Sequence, residues 1–226
     1  MFRVWLGQRG KVLFTTEGQL GCKADDAAEW FAYWDKLRRA GGITPADVAS
    51  LDSMLVSTYP MTLGQSPICI AWSNQLVAVQ DLVKPKLSLS MYPSVGPGKP
   101  SGHFFRAALI WSIYKLSKNA KPSANVIDFY LNDPDAAKLL GVERGVPPSL
   151  KMREVILPTL SAAEKATVDY VDALAERVIP PPPPAPRGGN EFNQRIMRTA
   201  ADEVAFGRMT PSQAGKRLIS DTEDVL

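Results

Sequence analysis

Between residues 25 and 39, Ala27, Phe31, Trp34 and Leu37 recur at steps of three and four. That period places them on one face of an amphipathic helix. Asp25 and Asp26 stand at its start, where the positive end of the helix dipole favours a carboxylate, and Gly41-Gly42 supply its stop. Thr44-Pro45-x-Asp47 reads as a cap, a first-position proline and a first-turn acid, and predicts a second helix running to about residue 56. Four other stretches carry strand patterns. Residues 10–16 follow a glycine turn, and residues 68–72 form an apolar run of strand length. Residues 86–92 alternate Leu87, Leu89 and Met91 with Ser88 and Ser90, the period of a half-buried strand. Residues 104–114 are apolar and rich in aromatics, and predict a strand pair or one long strand returning into a core.

Helical patterns dominate the remainder. Ser73-Asn74 caps a short helix over 75–82, and the loop at 93–102 holds three prolines and three glycines. Over 122–132, Val126/Ile127 and Tyr130/Leu131 share one face. Asp133-Pro134 opens a helix to about Leu140, with Gly141 as its stop. Ser161-x-x-Glu164 is a capping box followed by the stripe Val168, Val171, Ala175 and Val178. Residues 190–206 are helical, and Thr210-Pro211-Ser212-Gln213 opens the last helix. The proline run at 180–186 excludes a helix and takes polyproline II geometry. It reads either as a ligand for an SH3-type domain or as a rigid connector between packed helices; its position inside the globular pattern favours the connector. No repeat of fixed period is present.

Composition narrows the classes. At 226 residues the chain can bury a sizeable core as one large domain or two small ones. The formal net charge of +3 is spread with both signs interspersed, which argues against a nucleic-acid partner. No run of about 18 apolar residues spans a membrane. The first residues, Met1-Phe2-Arg3-Val4-Trp5, place a charge inside an apolar run and carry no export signal as written. Cys22 and Cys69 belong to no Cys-x-x-Cys pair, so no metal site is expected, and they fit either one disulfide or two ordinary thiols.

Catalysis has little material. His103 is the single histidine and sits in the Gly-Pro loop. No nucleophile elbow, zinc-protease helix, phosphate loop or dinucleotide fingerprint occurs. The acid pairs Asp25/Asp26 and Asp133/Asp135 are explained as helix N-terminal charges. An enzyme is therefore not expected, and neither is a cofactor. Aromatics beside amides are the more suggestive chemistry: Trp72 precedes Ser73-Asn74-Gln75, and Trp111 lies within Ile110-Trp111-Ser112-Ile113. An indole face takes the C–H face of a sugar ring while amides and hydroxyls satisfy its hydroxyl groups. Core packing accounts equally for a strand tryptophan.

Several segments taken in order resemble the solute-binding proteins of sugar-type ABC importers. They are Ala71-Trp72-Ser73-Asn74-Gln75, then Ile110-Trp111-Ser112-Ile113 with Ser117-Lys118, then Val126-Ile127-Asp128-Phe129-Tyr130-Leu131-Asn132-Asp133-Pro134-Asp135-Ala136-Ala137-Lys138, then Leu140-Gly141-Val142-Glu143-Arg144-Gly145-Val146-Pro147-Pro148-Ser149. Glu203-Val204-Ala205-Phe206-Gly207 and Thr210-Pro211-Ser212-Gln213-Ala214 close the set. The resemblance implies an α/β, helix-rich, two-lobed fold of the periplasmic-binding-protein type II kind, of which this chain is the C-terminal portion, truncated at its N-terminus. It assigns residues 1–103 and 161–226 to the C-terminal lobe, and residues 104–160 to a segment crossing into the N-terminal lobe. It implies a sugar or related polyol held in an interlobe cleft, with Trp72, Asn74, Trp111 and Arg144 as ligand contacts. It also implies permease subunits of the transporter as partners, and a periplasmic or extracellular location. Gln65-Ser66-Pro67 and Arg106-Ala107-Ala108 depart from the family's pattern on both flanks of that site. Truncation would leave residues 104–113 with an uncovered strand edge and apolar face. The competing expectation is an intracellular helical interaction module acting through the Pro-rich segment at 180–186.

Overall fold

The computed structural model describes residues 1–226 and is built almost wholly of helices and extended loops. In chain order the α-helices are α1 (Phe2–Gly7), α2 (Ala24–Arg39), α3 (Ala46–Ser50), α4 (Leu76–Gln80), α5 (Ala120–Asn132), α6 (Pro134–Leu140), α7 (Leu150–Ile156), α8 (Ala162–Leu174), α9 (Met197–Ala205) and α10 (Pro211–Glu223). A π-helical turn, Phe192–Ile196, leads into α9. The chain divides into two compact units. Unit 1 comprises Met1–Ile70, Tyr92–Phe105 and Arg177–Leu226; unit 2 comprises Ala71–Met91 and Arg106–Glu176. This partition differs from the lobes expected at 1–103, 104–160 and 161–226. Residues 71–91 and 161–176 pack with 106–160, because α4 lies on α8 and both bury apolar or small residues there, Leu76, Val79 and Val168 among them.

Unit 1 is centred on α2 and α10. The acid expected at the start of α2 does more than face the dipole: the Asp26 carboxylate accepts the Lys23 backbone N–H at 2.9 Å and is ion-paired with Lys11. At the far end Gly41, at φ +71°, adopts the left-handed conformation that terminates the helix, and its N–H reaches the Arg38 carbonyl at 3.0 Å. The two helices approach closely because Gly215 faces the first turn of α2, where an added Cβ would lie 2.5 Å from the Ala24 carbonyl oxygen. Around them the aromatic rings interlock. Phe2 stacks on Phe192 at 6.2 Å between centroids, Phe14 meets Phe192 edge-on at 6.2 Å, and Trp30 contacts Trp5 and Trp34 at 5.4 and 5.2 Å. The Gly-Pro loop at 93–102 is tied down by Gln8, whose Nε2 donates to the Pro93 and Ser101 carbonyls at 2.9 and 3.0 Å.

Unit 2 has the smaller core: Ala137, Val142, Met152, Ile156 and Val168 are buried together. Local signals place its helices. Asp133 accepts the backbone N–H groups of Asp135 and Ala136, Ser149 accepts that of Met152, and Ser161 and Glu164 close the capping box of α8. α8 ends at Leu174, so of its expected stripe Val168 is buried, while Ala175 and Val178 lie beyond the helix. α5 buries none of its residues, leaving Val126 and Phe129 about half exposed.

The expected strands do not form. Residues 68–72, 86–92 and 104–114 run without a ladder, and the only β pairing is an isolated antiparallel bridge, Phe14 to Leu20, within the hairpin that replaces the strand expected at 10–16. A strand exists only when a second segment offers its N–H and C=O groups alongside, and local alternation cannot supply that partner. The helix expected from Thr44 to about residue 56 is also shorter: α3 stops at Ser50, and Met54 at φ +63° interrupts the continuation.

Candidate functional site

All four residues singled out by sequence, Trp72, Asn74, Trp111 and Arg144, lie in unit 2. Trp72 closes an extended stretch and enters the 3-10 turn Ser73–Gln75. The turn is locked reciprocally: the Trp72 backbone N–H donates to Gln75 Oε1 at 2.9 Å, and the Gln75 N–H donates to the Trp72 carbonyl at 2.9 Å. Leu76 and Val79, one turn on, are buried and anchor this corner. With its backbone pinned, the indole is 53% exposed, and the Arg106 guanidinium carbon lies 5.4 Å from its ring centroid. Asn74 is half-buried at the centre of the same turn.

Trp111 belongs to a second aromatic group. Its ring stacks on Tyr130 of α5 with centroids 5.0 Å apart and planes 16° apart, and Phe129 meets Tyr130 edge-on at 5.7 Å. Half of Trp111 is exposed, so core packing does not explain it or Trp72. Arg144 joins neither group. It projects from the turn after α6 and pairs with its neighbour Glu143 at 3.6 Å. Sequence reading singled out the two tryptophans, met Arg106 only as a departure from the family's pattern beside the expected site, and did not pair Tyr130 with Trp111. The signal for Arg106 was present as a charged residue at the edge of an apolar run.

What this surface can do follows from its groups. An exposed indole with amides and a guanidinium beside it binds flat, C–H-rich, polar-edged molecules. Unit 1 holds the single histidine and both cysteines. His103 is buried there, stacked on Tyr92 at 4.6 Å with its Nε2 accepting the Tyr92 N–H at 3.3 Å, and burial lowers its pKa. Cys22 and Cys69 are free thiols; burial, with the Asp26 charge adding to it, pushes Cys22 up to about 12, the opposite of an activated thiolate. A cavity of about 270 Å³ in unit 1, lined by Phe2, Trp30, Phe31 and Trp34 with Asp35 and Arg38, takes in none of the candidate residues. The Pro-rich connector packs on that core through Ala185, with Pro182, Pro183 and Pro186 half-buried, so it is no free-standing ligand segment. No helix is long and apolar enough to cross a membrane.

No family model matches the chain. Among solved structures it is similar to an extracellular solute-binding protein family 1 from Alicyclobacillus acidocaldarius, at 30% identity and a TM-score of 0.84, over 99% of this chain and 57% of that one. It is also similar to a periplasmic oligogalacturonide binding protein from Yersinia enterocolitica in complex with saturated digalacturonic acid, at 18% identity and a TM-score of 0.79, again over 99% and 57%. A de novo designed esterase matches at 18% identity and a TM-score of 0.77, with the same coverage. At 18% identity the last two speak for the fold alone. The periplasmic-binding-protein fold is thereby established for the chain, and the chain spans rather more than half the length of the proteins that share it.

Proposed function

We propose that this chain, which shares the fold of extracellular solute-binding proteins along its whole length, serves as the substrate-binding component of an ABC importer and takes up a sugar or related polyol. The observation that carries the reading is the end-to-end match to the Alicyclobacillus acidocaldarius protein, 30% identical over 99% of the chain. The two exposed tryptophans of unit 2 support the carbohydrate part of it. In the proposal the whole protein is α/β, type II and two-lobed. The segments at 68–72, 86–92 and 104–114 become strands when a sheet is offered to them. Ligand held in the cleft between the lobes favours the closed state, which permease subunits of the transporter recognise in the periplasm or outside the cell. Trp72 stacks on the sugar ring, Asn74 holds a hydroxyl, Trp111 adds a second stacking face, and Arg144 lies at the margin.

Calorimetric titration of the chain against neutral and acidic mono- and disaccharides, digalacturonate among them, tests this. The expected result is binding of at least one carbohydrate, weaker than micromolar because the chain spans only part of a two-sided clamp, with Trp72→Ala lowering the affinity about tenfold or more. A panel that yields no heat and no change in tryptophan fluorescence rejects the proposal.

A further inference from the structure

We propose that Arg106, set over the indole of Trp72, makes this aromatic platform selective for sugars that carry a carboxylate; the inference rests on the carbohydrate reading above and names the chemical class within it. Three observations on unit 2 converge. First, the guanidinium carbon lies over the Trp72 ring, 5.4 Å from its centroid, while both side chains remain exposed, so the cation belongs to a solvent-facing stacking surface and is not buried in a core. Arginine suits this place because its weakly hydrated, planar fork stacks on an aromatic face and still presents paired N–H donors at its rim. Second, the ion pairs of the chain leave Arg106 out, so its donors stay available to an outside acceptor. Third, between Asp81 and Asp128 the chain carries no Asp or Glu at all, while Lys84, Lys86, Arg106, Lys115, Lys118 and Lys121 supply the charge of unit 2's part of that stretch. No acid next to Arg106 along the chain is therefore at hand to neutralise it.

The geometry of recognition follows. The platform is pre-set, because the reciprocal hydrogen bonds between Trp72 and Gln75 fix the backbone that carries the indole. A sugar ring lying against the indole brings a substituent on its rim toward the guanidinium. A carboxylate there accepts two parallel N–H bonds, shorter and about twice as strong as those to a neutral acceptor, whereas a hydroxymethyl group offers one neutral oxygen. Discrimination thus comes from the carboxylate, and the stacking contribution is common to both sugars.

Digalacturonate and digalactose, which differ only in carboxylate against hydroxymethyl, are the probes. Titrated into the chain at low salt, digalacturonate is expected to bind about tenfold or more tightly than digalactose, with the gap narrowing as salt rises. Arg106→Gln should abolish the preference, weakening digalacturonate far more than digalactose, and Arg106→Lys should keep part of it, having charge without the fork. Equal affinities in the unaltered chain, or a preference that survives Arg106→Gln, overturn the inference and leave the carbohydrate reading standing. Failure of both sugars, and of every other carbohydrate tried, overturns the two together.

Discussion

In unit 1 the apolar helix faces meet one another: α2 lies on α10, and Phe2, Phe14, Trp30 and Phe192 interlock around them. In unit 2, α5 carries an equally regular apolar face and buries no residue, and the segment after Phe105 leaves Ile110 81% and Tyr114 72% exposed. The sequence patterns of the two regions are of the same kind. What separates them is the surface available to receive the pattern, since an amphipathic face is stabilised only by what covers it. Unit 2 is thus a region whose apolar residues specify contacts that its own small core does not make.

Paired truncations test this contrast most strongly. Phe192→Ala, at a ring that is 1% exposed, should cost about 3–5 kcal/mol in urea unfolding, whereas Ile110→Ala in the uncovered segment should stay within about 0.5 kcal/mol. Comparable costs at the two sites would break the comparison. Next in size is an electrostatic effect confined to unit 1. Burial raises the Asp26 carboxyl, but the hydrogen bonds from Lys11 and the Lys23 backbone and the two ammonium charges outweigh it, leaving its pKa below the ordinary value. Such a depressed acid contributes stability in full above the unfolded carboxyl's pKa of about 3.9, and loses it as pH falls through the lower folded value. Asp26→Ala should cost about 1.5–3 kcal/mol at neutral pH, and tryptophan fluorescence should show the variant losing less stability on acidification than the parent. A parallel loss in both would remove Asp26 as the cause. The smallest effect concerns unit 2: Ile110→Lys should leave the unfolding midpoint unchanged while reducing self-association in light scattering, because it places a charge on an exposed apolar edge. Unchanged association would mean that this edge is not the sticky one.

Legibility in the sequence followed the range of the interaction. Caps at Asp133, Ser161 and Thr210 were readable because each side chain bonds a backbone N–H two or three residues away. Thr44 misled, because Pro45 takes the cap position of a helix that ends five residues later. α7, which Ser149 caps, was not anticipated from the sequence. The segments at 68–72, 86–92 and 104–114 carry strand patterns but form no ladder here, because a pattern describes one segment and a ladder requires two. At the candidate site the same division holds. Trp72, Asn74 and Trp111 could be singled out by residue type and immediate neighbours, while the Arg106–Trp72 and Trp111–Tyr130 pairs join segments remote in sequence.

The order of the segments has a kinetic consequence. The chain passes between the two units at residues 70/71, 91/92, 105/106 and 176/177, and α10, the partner of α2, is the last helix of all. During synthesis, α2 must wait with Ala27 and Phe31 uncovered until the long stretch between Arg39 and Pro211 has been made. Closing so long a loop makes the docking of α10 a slow, late step, and the waiting face is a surface that chaperones bind and that neighbouring nascent chains can foul. Unit 1, the better packed of the two, is therefore the one that finishes last.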